Sequence, residues 1–135
     1  MTLEDLADTL PNGFHDAQVA SISIDYVKRE ARIIVDVWMG DGSKEEALRE
    51  AYRVGELTLN GLLYWVIEPP DANYPYGESK QLWVDAGDLA SARVTPSMTL
   101  PQPLPKGAFA SWIFVQGWNS FMYVAAMDAR LEWKE

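Results

Sequence analysis

The stretch Ala20-Ser21-Ile22-Ser23-Ile24-Asp25-Tyr26-Val27-Lys28-Arg29-Glu30-Ala31-Arg32-Ile33-Ile34-Val35-Asp36-Val37-Trp38 decides the architecture. Ala20, Ile22, Ile24 and Tyr26 alternate with Ser21, Ser23 and Asp25, the period of two that marks a half-buried strand. Val27 to Glu30 interrupts it. Alternation then resumes, with Ala31, Ile33, Val35 and Val37 on one side and Arg32, Ile34, Asp36 and Trp38 on the other. Two alternating runs joined by a short polar link predict a β-hairpin, whose apolar face needs a sheet or a helix to cover it.

Upstream, Thr2 suits a helix N-cap, Glu4 and Asp5 suit the positive helix end, and Leu3, Leu6 and Leu10 share a face. Pro11-Asn12-Gly13 ends this two-turn helix. Downstream, Gly40 to Glu46 is a polar loop. Ala47 to Asn60 predicts a strand that pairs with the first hairpin, with Gly55 as a bulge or bend. Leu62 to Ile67 is an unbroken apolar run that fits a strand covered on both faces or a buried helical turn. Residues 69 to 80 read as loop, Gln81 to Asp85 as a short strand, and Asp88 to Gly107, with four prolines, as the longest irregular connection.

Ala108 to Gln116 is strongly β, and Gly117 to Ser120 makes a turn. Phe121 to Trp133 alternates throughout and predicts one last strand, central in its first half and near an edge in its second. Ile22, Ile24, Ile33, Val35, Leu63 and Val124 are the expected core. The fold class is α+β, mainly β: one domain spanning 1–135, a twisted antiparallel sheet open to curling into a half-barrel, and one short N-terminal helix.

Composition narrows the function. The 135 residues can bury a real core without staples. There is no cysteine, so disulfide and thiol chemistry are excluded, and with a single histidine no metal site is expected. Twenty acidic against eleven basic residues give a net charge of -9. That charge repels nucleic acid and anionic membranes and steers a basic protein in. Residues 1 to 50 alone hold eleven acids and five bases, Glu45 and Glu46 among them. The start is acidic and no apolar run spans a bilayer, so the expectation is a cytoplasmic protein.

Chemistry has one focus. His15 beside Asp16 is the one base and carboxylate pair in the sequence, though neighbours in an extended segment point to opposite faces. The expectation is therefore that His15 packs under the sheet, that Asp16 ties down backbone amides at the strand entry, and that catalysis would need a distant carboxylate. Glu68, Asp71, Asp85 and Asp88 bracket the Pro-rich loop and could gather around a cation or act as an acid and base pair. No Gly-x-Ser-x-Gly elbow, phosphate loop or EF-hand spacing is present, and no cofactor is implied. Tyr74, Tyr76 and Trp118, if exposed together, would suit a binding surface.

Gly13-Phe14-His15-Asp16-Ala17, the Ile-rich hairpin from Gln18 to Trp38 and an aromatic closing strand ending in Trp resemble a group of small uncharacterised bacterial proteins related to immunity proteins of polymorphic toxin systems. The resemblance implies a non-enzymatic protein that binds a toxin, and it supplies no catalytic residue. The alternatives are a small hydrolase or isomerase using His15 with a distant carboxylate, and a small-ligand barrel lined by tryptophans.

Overall fold

The computed structural model describes residues 1–41, 43, 45, 51–76, 81–90 and 95–134. Its elements are α1 (Leu3–Asp8), β1 (Ala17–Asp25), β2 (Glu30–Trp38), β3 (Tyr52–Asn60), β4 (Tyr64–Ile67), β5 (Leu82–Asp88), β6 (Phe109–Val115), β7 (Ser120–Ala126) and β8 (Asp128–Trp133). The eight strands form one antiparallel sheet in the order β4-β7-β6-β5-β1-β2-β3-β8.

The expected hairpin is β1 paired with β2, from Gln18 opposite Asp36 to Asp25 opposite Glu30. At its tip the Asp25 carboxylate accepts the Val27 and Lys28 amides, and Arg29 closes the turn with φ of 56°. The register slips between Val19 and Ser21, leaving Ala20 as an extra residue. This bulge corrects the alternation read from sequence. Ala17 and Val19 face inward on odd positions, Ile22 and Ile24 on even ones, and only an inserted residue puts both pairs on one face. Ala20 is accordingly exposed.

The strand expected over residues 47 to 60 is present as β3, which pairs with β2 from Tyr52 opposite Trp38 to Asn60 opposite Glu30. Residues 47–50 lie outside the described residues. Gly55 is no bulge, because its pairing with Val35 and Trp133 is in register. It is a close approach instead: a Cβ there would lie 2.8 Å from Leu131 Cδ1 and 3.2 Å from the Trp133 ring.

The closing strand expected from Phe121 to Trp133 is broken at Met127. Its first half, β7, lies between β4 and β6, and its second half, β8, is an edge at the far end of the sheet. Chain connectivity then demands curvature. Only Gly61–Leu63 joins β3 to β4 and only Met127 joins β7 to β8, so the two ends of the sheet must come together there. The Met127 amide donates to the Asn60 carbonyl at 3.1 Å and the Leu63 amide to that of Ala125 at 2.8 Å, carrying the pairing around the corner. The sheet is a strongly curled half-barrel that does not close.

Inside the curve, Ile33, Val35, Leu57, Leu59, Val124 and Phe14 pack with Leu3 and Leu6 of α1. Full burial of one such side chain stabilises by roughly 1.5–3 kcal/mol. Ile22 and Ile24, expected in the core, are half-buried at its margin, and half-buried Leu63, also expected there, packs against a separate cluster with Tyr64 and Tyr123. The helix is held by a capping box in which Thr2 Oγ1 accepts the Asp5 amide and the Asp5 carboxylate accepts that of Thr2. These bonds hold the Asp5 carboxyl below its usual range.

A second, smaller cluster sits on the outer face, where Tyr64, Tyr123 and Ala125 are covered by Leu100 and Leu104 of the Pro-rich segment. Among the described residues no helix is long and apolar enough to cross a membrane.

Candidate functional site

His15 does not pack under the sheet; its side chain is 60% exposed. The packing role falls to Phe14, which is buried in the main core. The reason is backbone conformation. Gly13 and Asp16 are left-handed, with φ of 55° and 54°, and the Ala17 amide bonds the Phe14 carbonyl at 3.2 Å, so the entry to β1 is a tight turn and not an extended segment. The opposite-face rule for neighbours therefore fails here. His15 Nε2 stands 3.4 Å from Asp16 Oδ2.

The distant carboxylate is Asp85. β1 pairs with β5 through Ala17 opposite Val84 and Gln18 opposite Trp83, which sets Asp85 beside Asp16. Asp85 Oδ1 lies 2.6 Å from His15 Nδ1 and accepts the Asp16 amide at 3.2 Å. Gln116 Nε2 completes the group, donating to Asp16 Oδ1 at 3.0 Å and Asp85 Oδ2 at 3.4 Å. It reaches both because its own amide bonds the Trp83 carbonyl.

Three aromatic rings stand around this group. Trp38 faces the His15 ring at 6.2 Å between centroids, and Tyr52, its pairing partner, sets its edge on Trp83 at 6.3 Å. The Tyr52 hydroxyl reaches the Asp16 carbonyl at 3.5 Å. On the same outer face, a cross-strand row runs Val54, Asp36, Gln18, Trp83. Trp83 and Val54 are 42% and 40% exposed, unusual for apolar groups on a sheet face. Asp36 Oδ1 is buried with no partner among the described residues, and burial raises its carboxyl above the usual range.

Tyr74, Tyr76 and Trp118 do come together. Their rings meet edge to face, 4.9 Å from Tyr74 to Tyr76 and 6.2 Å from Tyr74 to Trp118, and Tyr76 is exposed. Trp118 follows Gln116 by two residues, and its carbonyl holds the Asp71 amide, so this aromatic patch hangs from the same β6–β7 turn that supplies Gln116. Glu45 is exposed in its loop; Glu46 lies outside the described residues.

The carboxylates bracketing the Pro-rich loop do not gather. Glu68 accepts the Phe121 amide and the Ser97 and Tyr123 hydroxyls, and Asp71 accepts the Asn73 amide. Asp88 accepts the Ala90 amide and hydrogen-bonds Glu4, whose carboxyl is raised chiefly by that bond. Only Asp85 of the four meets His15. One donor atom each from His15, Asp16 and Asp85 lies within 4.8 Å of the others, so this is also where a cation could be held among the described residues.

The half-barrel interior leaves a void of about 30 Å³, roughly the share of one water in the liquid. Among the described tryptophans, Trp65 lines it.

Trp38, Tyr52, Trp83 and Gln116 were not singled out by sequence reasoning as a group. Trp38 had a legible signal, since it falls on the polar side of its strand, where a large apolar residue is out of place. No protein-family model, curated protein or solved structure matches this chain.

Proposed function

We propose that the chain is a non-enzymatic binding protein that docks a basic protein on the outer face of β5, β1, β2 and β3, as an immunity protein does a toxin. The observation that carries this reading is that Asp16 and Asp85 stand on the same outer sheet face as the exposed Trp83. Among the described residues no Lys or Arg is paired with either carboxylate, and His15 is the residue that reaches both. Carboxylates without a Lys or Arg partner, beside Trp and Tyr, suit a basic and partly apolar counterpart. The overall charge of -9 adds long-range steering toward it.

The test is affinity capture at low ionic strength, followed by association kinetics with the purified partner. The expected partner is basic, and its association rate falls between low and physiological salt. Charge reversal at Asp16 and Asp85 is expected to weaken affinity mainly through faster dissociation, whereas reversal at Glu45 and Glu46 acts mainly on the association rate. Recovery of acidic partners only, or a rate indifferent to salt, would remove the reading. Duplex DNA serves as the non-binding control.

One observation favours a second reading. The 2.6 Å contact from Asp85 to His15 Nδ1 orients an exposed imidazole as an orienting carboxylate orients a general base. Hydrolase or isomerase activity on small substrates that is lost in both His15→Gln and Asp85→Asn would favour it over docking.

A further inference from the structure

The half-barrel does not close, and β8 ends the strand order on one side. The Lys134 amide donates to the Val54 carbonyl, so the even-numbered residues of this strand bond to β3. The odd-numbered ones, Ala129, Leu131 and Trp133, therefore turn their amides and carbonyls away from the sheet. Among the described residues, the one of these groups with a partner is the Ala129 amide, which donates to the Met1 carbonyl at 2.9 Å. The opposite edge, β4, is shielded by the tip of the first hairpin. There the Arg29 carbonyl accepts the Leu62 amide, and the Tyr26 hydroxyl reaches the Trp65 carbonyl at 3.4 Å.

Charged side chains on an edge strand ordinarily keep other strands away. Those of β8 do so for most strands but not for a copy of themselves, because Asp128, Arg130, Glu132 and Lys134 alternate in sign along the outer face. When two such strands lie antiparallel about a two-fold axis, an axis through an odd-numbered residue sets opposite charges face to face. An axis through an even-numbered residue sets like charges together. The axis that pairs every one of these charges passes through Leu131: Arg130 meets Glu132 of the second copy, and Asp128 meets its Lys134. On the inner face the same register sets Leu131 against Leu131 and Trp133 against the small Ala129. It also matches the outward backbone groups, with the Leu131 amide on the Leu131 carbonyl and the Trp133 amide on the Ala129 carbonyl. Within one copy neither Arg130 nor Glu132 has an ion-pair partner among the described residues, and Glu132 stands opposite another acid, Glu56.

We infer that β8 is a self-association edge: a second copy of this chain adds its own β8 antiparallel about Leu131 and continues the sheet across a two-fold axis. The inference goes beyond the docking reading and does not rest on it. Met1 has to give way, since its carbonyl holds the Ala129 amide and its ammonium the Asp128 carboxylate at 2.8 Å. Both contacts are replaced in kind, by the Trp133 carbonyl and the Lys134 ammonium of the second copy. Lys134 leaves Glu56, 3.6 Å away, and Glu56 keeps Arg32.

The experiment is sedimentation equilibrium of the full chain over a range of concentrations. The wild type is expected to show a reversible monomer–dimer equilibrium with no larger species, because the pairing uses up the β8 edge. Arg130→Glu and Glu132→Arg should each weaken the dimer by roughly tenfold or more, since each sets two like-charge pairs beside the axis. Mixed in equal amounts, the two variants should dimerise again, which also shows that both are folded. The double variant Arg130→Glu, Glu132→Arg should pair with itself and not with the wild type. Charge reversal at Asp16 and Asp85 should leave the dimer intact. A wild type that stays monomeric throughout, single variants that dimerise as the wild type does, or a mixture that remains monomeric overturns the inference. Loss in only one of the two single variants overturns the axis at Leu131, and loss on reversal of Asp16 and Asp85 moves the contact to the docking face.

Discussion

Asp36 is the residue most at odds with its surroundings. It sits near the end of β2 between Gln18 and Val54, with one carboxylate oxygen buried and unpartnered among the described residues, and burial raises its carboxyl above the ordinary 3.8. The folded state therefore holds the Asp36 proton more tightly than the unfolded chain does. Its contribution to stability is complete below about 3.8 and is lost as pH rises through the folded-state value. Replacement Asp36→Asn should thus raise stability at pH 7 by up to about 1 kcal/mol. The gain should shrink on acidification toward the unfolded-state value. Urea unfolding of both proteins at several pH values measures this; an Asn variant less stable at pH 7 would mean that the buried oxygen has a partner. A buried carboxylate was not legible beforehand, because alternation assigns a face to Asp36 and not the depth of that face. The same limit explains His15. Its packing role was inferred from extended geometry, and the left-handed turn at Asp16, which redirects both side chains toward Asp85, leaves no signature in residue types beyond the Asn-Gly before it.

At the scale of elements, the first hairpin, the pairing of β3 and the short capped helix were legible because their signals are local: alternation, turn residues and a capping box all lie within a few positions. What escaped were features that depend on partners. Ala20 is one, since a small residue satisfies either face and hides the change of parity between Val19 and Ile22. Deleting Ala20 should keep Ala17, Val19, Ile22 and Ile24 on the inner face, because Val19 and Ile22 then stand two positions apart and the ladder becomes regular. Thermal unfolding checks this: a midpoint close to that of the wild type is expected, and a large fall would show that the bulge itself is needed. Met127 is another. Alternation continues unbroken from Phe121 to Trp133, so nothing local marks the point where β7 ends at one end of the sheet and β8 begins at the other. Of the expectation that this segment is central first and peripheral later, only the second part holds: β8 is an edge strand, whereas β7 lies next to the opposite edge strand, β4.

At the scale of the whole molecule, the corner of Gly61–Leu63 and Met127 governs the shape. Gly61 has φ of 65°, and a Cβ there would lie 2.7 Å from Met127 Cγ. Gly61→Ala should cost roughly 2–4 kcal/mol, combining left-handed strain with the collision. Adding Met127→Gly, which removes both the Cγ and the Cβ that lies 2.8 Å from the added methyl, should relieve the collision part and leave the strain, which a double-mutant cycle resolves; strict additivity would mean that the two residues do not meet. The candidate site was legible only in pieces, His15 and Asp16 in one place and Tyr74, Tyr76 and Trp118 in another, because the β6–β7 turn that joins them through Gln116 brings together segments 100 residues apart. The corner also has a kinetic meaning. Ladders β3–β8 and β4–β7 share the same two chain passages, so neither end of the sheet can open far without pulling on the other. The amides of β4 and β8, at opposite ends of the strand order, should exchange with solvent in a single cooperative event, and refolding should wait on the encounter of two distant segments, slow for a chain this short.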